Sequence, residues 1–205
     1  DISLKEYDKI YKRLDITFDL YNGESFYNNM MTDIINELTV KNIVTEDQEA
    51  LVVFFDEDTN LHPCIVQKKD GSFLYSTSDL ATIKYRKEVL HADKVIIITD
   101  ERQQDHFRQV FKISEILGEG FDYDKVHVWF GIMRFKDGIF SSRKGNIIKL
   151  NDLLDEARQK VRETVEEKNP SIPVEEKELI SEVVGIGAIK YFDLSQNRTS
   201  PIIFE

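Results

Sequence analysis

Val95-Ile96-Ile97-Ile98 is followed about thirty residues later by Val126-His127-Val128-Trp129-Phe130, and the segment between is apolar at Phe107, Val110, Phe111 and Leu117. The unbroken apolar run predicts a strand buried on both faces. The spaced apolar positions predict a helix over roughly 102–117, ended by Gly118 and Gly120. Strand, helix and strand at this spacing make a β–α–β unit, so the expected fold is α/β with a parallel, doubly wound sheet. Such sheets bind ligands just beyond the carboxyl ends of their strands. Here those ends deliver Thr99-Asp100-Glu101-Arg102-Gln103 and Gly131-Ile132-Met133.

Upstream, Leu4, Tyr7, Ile10, Tyr11 and Leu14 recur at helical spacing, and residues 24–38 repeat the pattern. Three short β segments are expected at Leu51–Phe55, Cys64–Gln67 and Ser72–Tyr75, with Lys69-Asp70-Gly71 turning the last pair. A helix from about Thr77 to Leu90 then leads into the β–α–β unit. Downstream, two helices are expected at about 151–168 and 174–191, separated by Asn169-Pro170-Ser171-Ile172-Pro173. The last ten or so residues read as irregular. No repeat or low-complexity tract is present.

At 205 residues, 41% hydrophobic and 32% charged, the chain has the composition of an ordinary globular protein. Its 38 acidic against 27 basic residues argue against broad, nonspecific nucleic-acid binding by the chain alone. No apolar run is long enough to span a bilayer, and no secretory pattern is present. The single cysteine, Cys64, fits a reducing cytosol and sits in an apolar run, as a buried small hydrophobe would. The first residue is not methionine and the sequence stops at Phe204-Glu205, so a piece of something longer is expected.

Tyr75 and Asp79 stand four apart where a strand gives way to a helix, so both can face one cavity. A carboxylate beside an aromatic hydroxyl suits a guanidinium, because the carboxylate can accept two parallel N–H bonds. The plainer reading has Asp79 favouring the positive end of the helix and Tyr75 closing the core, and spacing alone prefers it. Ser76, Thr77 or Ser78 can cap that helix. Gln103 and His106 share a helix face at the strand-end crevice, though a lone histidine there is more often a satisfied partner than a catalyst.

Histidines 62, 91, 106 and 127 lack ligand spacing, so no protein-bound metal is expected. Gly185-Ile186-Gly187 lies in an apolar helical pattern with no preceding strand and reads as close helix packing, not a phosphate loop. The acidic runs Glu163–Glu167 and Glu175–Glu178 read as solvated helix faces. Ile139-Phe140-Ser141-Ser142-Arg143-Lys144-Gly145-Asn146 offers hydroxyls, cations and a flexible backbone that can hold phosphate oxygens. Alone, that loop is also an ordinary polar glycine turn.

In order along the chain, these pieces resemble a known family. Gly23-Glu24-Ser25-Phe26-Tyr27-Asn28, Tyr75 with Asp79, Arg102-Gln103 with His106-Phe107, Val126 to Gly131, Phe140 to Asn146, and Ala188-Ile189-Lys190-Tyr191 through Asp193-Leu194-Ser195 and Arg198 resemble arginyl-tRNA synthetase, a class I aminoacyl-tRNA synthetase. The resemblance covers nearly the whole sequence. It implies the second half of a Rossmann-like nucleotide-binding domain, with a small α/β insertion before it and a C-terminal helical stem. The corresponding divisions are 1–70, 71–150 with the phosphate loop, and 151–205 leading to an anticodon-binding bundle.

The resemblance also implies a two-step reaction: L-arginine and ATP give arginyl-adenylate, and tRNA(Arg) then takes the arginyl group, in the cytoplasm. Arginine activation in this family usually needs bound tRNA. ATP serves as a substrate with Mg2+ carried on the nucleotide. Tyr75, Asp79 and Gln103 would hold arginine. His106, Gly131 and Met133 would lie at the nucleotide, and the loop with Ser141, Ser142, Arg143 and Lys144 would embrace the phosphates and close on ligand.

Two departures stand out. The family's His-Ile-Gly-His motif is absent, so the isolated chain is expected not to aminoacylate, and its uncovered surface leaves room for self-association. Ile139 and Ser142 occupy the lysine positions of the family's Lys-Met-Ser-Lys-Ser loop, which shifts the charge to Lys144 and Arg143, with Lys136 also within the segment. Two other readings carry different sequence hints. One is an enzyme of another amino-acid specificity on the same class I scaffold, such as a cysteinyl- or glutamyl-type synthetase. Against it stands Asp79, whose carboxylate suits a cationic side chain and repels an anionic one. The other, a non-catalytic paralogue acting as a binding module, is suggested by the missing motif.

Overall fold

The structure, a computed structural model, describes residues 2–135, 138–139 and 149–204. The chain divides into one unit of residues 21–130 and another of residues 1–20 with 131–205.

In the 21–130 unit, a 3-10 turn at Glu24–Tyr27 runs into α2 (Asn28–Val40), following α1 (Ile2–Arg13) of the other unit. An antiparallel sheet follows, with strand order β1 (Thr45–Asp47), β2 (Ala50–Val53) and β3 (Cys64–Gln67). β1 carries two acids in three residues and no apolar one, so periodicity does not signal it; it pairs with β2 as Thr45 to Val52. After β3 the chain turns at residues 68–72, where Gly71 takes φ +80° and Asp70 accepts from the Ser72 amide and hydroxyl.

The expected strand at Ser72–Tyr75 is reduced to one bridge between Gln67 and Phe73, and Tyr75 already belongs to α3 (Tyr75–Glu88). The reason lies in the hydroxyls. Ser76 and Thr77 do not cap α3; they donate to the carbonyls of Ile65 and Val66 on β3, fastening the first turn to the sheet. The cap position is Leu74, with no side-chain bond.

Leu38 of α2, Val66 of β3 and Leu80 and Ile83 of α3 are wholly inaccessible to solvent and form the centre of the core. Each such side chain contributes roughly 1.5–3 kcal/mol relative to exposure. Cys64 joins this core, where burial pushes its thiol up.

β4 (Lys94–Asp100), a 3-10 turn at Glu101–Gln103, α4 (Gln104–Leu117) and β5 (Asp124–Phe130) form the expected parallel unit, paired in register from Lys94–Asp124 to Asp100–Phe130. Gly118 ends α4 at φ +73°. Burial on both faces is not found. Val95 is buried, but Ile96 and Ile98 are 56% and 65% exposed, because α4 packs on the other side, with Phe107 4.7 Å from His127.

In the second unit, α5 (Leu150–Lys168) and α6 (Val174–Ser195) form an antiparallel pair broken at the predicted prolines. Arg13 of α1 joins Asp155 at 2.8 Å and Glu182 at 3.0 Å, tying three helices together. The acidic runs are not merely solvated faces. Arg162 binds Glu166 and Glu178, Arg158 also binds Glu178, and the buried Lys177 donates to Glu166 and to the Pro170 carbonyl.

Gly185 is the contact that the apolar pattern predicted, since a Cβ there meets Arg158 backbone atoms at 2.9 Å; Gly187 faces open space. The tail is not irregular throughout: β8 (Ile202–Phe204) pairs parallel with β6 (Met133–Phe135), which pairs antiparallel with β7 (Gly138–Ile139). Among the described residues, no helix is long and apolar enough to cross a membrane.

Candidate functional site

Two helix beginnings define the site in the 21–130 unit. α3 starts directly from the β3 turn, which sets Tyr75 at its first position and Asp79 one turn further on. Tyr75 is 71% exposed, so it does not close the core. α4 starts from the carboxyl end of β4. Asp100 accepts from the Arg102 amide at 2.9 Å and grips the Arg102 guanidinium through both oxygens, at 3.0 and 2.6 Å. The hydrogen bonds and charge of Arg102 hold the Asp100 carboxyl below its usual range, and the chain is thereby turned into α4 with Gln103 exposed at its head.

The structure joins Asp79 to His106, on the first turn of α4, at 2.6 Å between Oδ2 and Nε2. Their side chains are 31% and 23% exposed, so the bond is half-buried. A carboxylate accepts only, so Nε2 is the donor. Behind His106, Phe107 stands edge-on to its ring at 4.9 Å and packs on His127. His127 in turn meets the Thr99 hydroxyl at 2.8 Å through its Nε2. Burial, with repulsion from His106 added, keeps the His127 imidazole below its ordinary value. A half-exposed carboxylate, an exposed phenol and an ordered imidazole together suit a cationic, hydrogen-bonding ligand.

Of the nucleotide candidates, His106 lies in this same unit, while Gly131 and Met133 belong to the other. The Gly131 amide donates to the Arg198 carbonyl at 2.7 Å, and a Cβ on Gly131 would stand 2.5 Å from the Ser200 oxygen. The glycine is therefore required by a backbone crossing within the fold. Met133 begins β6 and is 42% exposed. Ser141, Ser142, Arg143 and Lys144 lie outside the described residues, as does Lys136.

Sequence reasoning missed the Asp79–His106 bond, because its members are 27 residues apart and no local pattern links them. It also missed the Asp100–Arg102 fork, for which Asp two residues before Arg after a strand was the available signal. A cavity of about 430 Å3 lies by the end of α4 and the start of β5, lined by Phe111, Tyr123 and Lys125 among others. It is remote from the strand-end groups, and its lysine is already satisfied by the Phe121 and Tyr123 carbonyls. Among the described residues, no cluster of His, Cys, Asp and Glu is arranged to hold a metal ion.

The family described as tRNA synthetases class I (R), catalytic domain, matches residues 1–205. An arginine–tRNA ligase of Fusobacterium nucleatum is 59% identical over 203 residues, which cover 99% of this chain and 35% of that protein. One from Clostridium perfringens is 46% identical over 205 residues, covering all of this chain and 36% of that protein. The chain thus spans about a third of the length of the curated relatives it matches. Among solved structures, the arginyl-tRNA synthetase of Plasmodium falciparum superposes with TM-score 0.80 at 29% identity, covering 99% of this chain and 34% of that one. The Thermus thermophilus arginyl-tRNA synthetase shares the fold, with TM-score 0.76 at 17% identity over 94% of this chain and 38% of that one. With the family matched from end to end and relatives of one specificity aligned across the β–α–β unit and both candidate helices, the chain belongs to the class I arginyl-tRNA synthetases, within their catalytic domain.

Proposed function

We propose that this sequence serves as the central catalytic part of an arginine–tRNA ligase, activating L-arginine with ATP and passing it to tRNA(Arg) in the cytoplasm. The observation that carries the reading is Asp79: a carboxylate on the first turns of α3, half-exposed, with Tyr75 exposed one turn before it. In this reading Asp79 accepts a pair of guanidinium N–H bonds, Tyr75 offers its ring or hydroxyl, and Gln103 closes the side of the pocket. A carboxylate in that place attracts a cationic side chain and repels an anionic one.

With arginine held there, its own carboxylate oxygen attacks the α-phosphorus of ATP. The bond to the bridging oxygen breaks and pyrophosphate leaves. A tRNA terminal hydroxyl then attacks the carbonyl, and AMP departs. Chemistry of this kind depends mainly on positioning and on stabilising developing charge. Gly131 and Met133 pass their backbone near the adenine, and Ser141, Ser142, Arg143 and Lys144 clamp the phosphates of ATP, whose Mg2+ travels with the nucleotide. Residues 1–70, 71–150 and 151–205 act respectively as insertion, site-bearing half and stem toward the anticodon-binding part.

Isothermal titration of the complete synthetase polypeptide containing this sequence tests the pocket. L-arginine should bind, L-citrulline should bind far more weakly for want of a charge, and Asp79→Ala should lose the preference. Equal affinity for arginine in the Asp79→Ala protein would overturn the assignment.

A further inference from the structure

We infer that His106 is a positioning residue of the arginine pocket: its Nε2–H fixes the Asp79 carboxylate in the orientation that receives a guanidinium. This rests on the reading of Asp79 as the guanidinium acceptor, and it gives His106 a place that the family resemblance alone does not, since the resemblance sets it beside the nucleotide.

The geometry is specific. Asp79 and His106 come from different helices and meet at 2.6 Å, half-buried on both sides. A free aspartate can rotate about two side-chain bonds, so a guanidinium that needs two parallel acceptors would have to order it first. The bond from Nε2 takes one of about four lone-pair sites on the carboxylate. Acceptor sites on both oxygens stay open for an incoming fork.

The imidazole is itself held. Phe107, 5% exposed, stands edge-on behind it and packs against His127, and His127 bonds Thr99 near the end of β4. The orientation of the carboxylate is therefore referred, through four side chains, to the parallel strand pair. Supporting groups of this type matter because a site left loose by its supports loses affinity even when its contact residues are intact.

The test separates this role from a nucleotide role and from structural damage. In the complete synthetase polypeptide, L-arginine and ATP are titrated separately into the original protein and into His106→Ala, His106→Gln and Asp79→Ala variants. The glutamine amide can reach the place of Nε2 and donate the same bond. His106→Ala should weaken L-arginine binding about tenfold, the lower end of what such supporting groups contribute, and leave ATP binding within about twofold. His106→Gln should restore most of the arginine affinity, and aminoacylation by His106→Ala should show a raised KM for arginine with kcat little changed.

Loss of ATP affinity with arginine affinity intact would place His106 at the nucleotide and overturn the proposal. So would a glutamine variant as weak as the alanine one, because the donated bond would then be irrelevant. Unchanged arginine binding in Asp79→Ala would instead remove the pocket reading itself, a result distinguishable from either.

Discussion

Gly185 and Gly187 lie two residues apart in α6 and should respond differently to alanine. Both substitutions gain the same helix propensity, about 1 kcal/mol. They differ in what the new methyl group meets. At Gly187 there is nothing within 4 Å, whereas at Gly185 the Cβ would stand 2.9 Å from both the Cα and the amide nitrogen of Arg158 and 3.0 Å from the Ala157 carbonyl carbon. Those are backbone atoms, so α5 must move away as a unit and no side chain can yield alone.

Overpacking of this kind costs about 1–3 kcal/mol, which is then the expected stability difference between the two variants. In a chain of this size it corresponds to roughly 2–12 °C in Tm, with Gly187→Ala above the original protein and Gly185→Ala below Gly187→Ala. Thermal and urea unfolding followed by circular dichroism read this directly. Equal stabilisation by both alanines would refute the packing of α5 on α6 at Gly185.

Three further outcomes follow from other contacts. Bonds from Lys177 and Arg162 hold Glu166 below its ordinary value of 4.5, and bonds from Arg162 and Arg158 do the same for Glu178. Their contribution is present above the ordinary glutamate range and is lost as pH falls through the lower folded-state values, so acid should loosen the α5–α6 pair. The effect is modest because the groups are exposed, and Arg162→Met should flatten the acid limb of the stability curve. Burial pushes the Tyr123 phenol from 10.0 up to about 12, only partly offset by Arg86, while its hydroxyl donates to the Ile83 carbonyl. The folded state then holds an extra proton between those values, so stability should fall across that alkaline window and Tyr123→Phe should fall less; ultraviolet phenolate titration checks the assignment. Gly131→Ala should cost about 1–3 kcal/mol by driving a methyl group into the Ser200 backbone, and amide exchange at Ile202, which donates to the Ile132 carbonyl, should accelerate; unchanged protection there would count against the crossing.

What could be read in the sequence was whatever leaves a local period. The β4–α4–β5 unit and the α5–α6 pair were legible because apolar spacing and the Gly118 and Pro173 stops are local signals. β1 was not, since Thr45-Glu46-Asp47 carries no apolar residue and exists only by pairing with β2. β8 depends likewise on β6, about seventy residues upstream. Ser76 and Thr77 looked like caps because their partners, the carbonyls of β3, are eleven residues away and are brought close only by the turn at 68–72.

The same limit applied to the candidate site. Tyr75 and Asp79 stand one helical turn apart on α3, a spacing that is local and so visible in the sequence. The bond from Asp79 to His106 is tertiary and appears only when α3 and α4 are side by side. The exposure of Ile96 and Ile98 was equally hidden, because an apolar run states how much surface can be buried and not which face is covered.

Charging of tRNA by the complete synthetase polypeptide, assayed with each of the amino acids in turn, tests the account most directly. The prediction is arginine-dependent, ATP-dependent charging of tRNA(Arg) that collapses with Asp79→Ala, and no charging by the 205-residue chain alone. Charging with a different amino acid, or at an undiminished rate without Asp79, would contradict it.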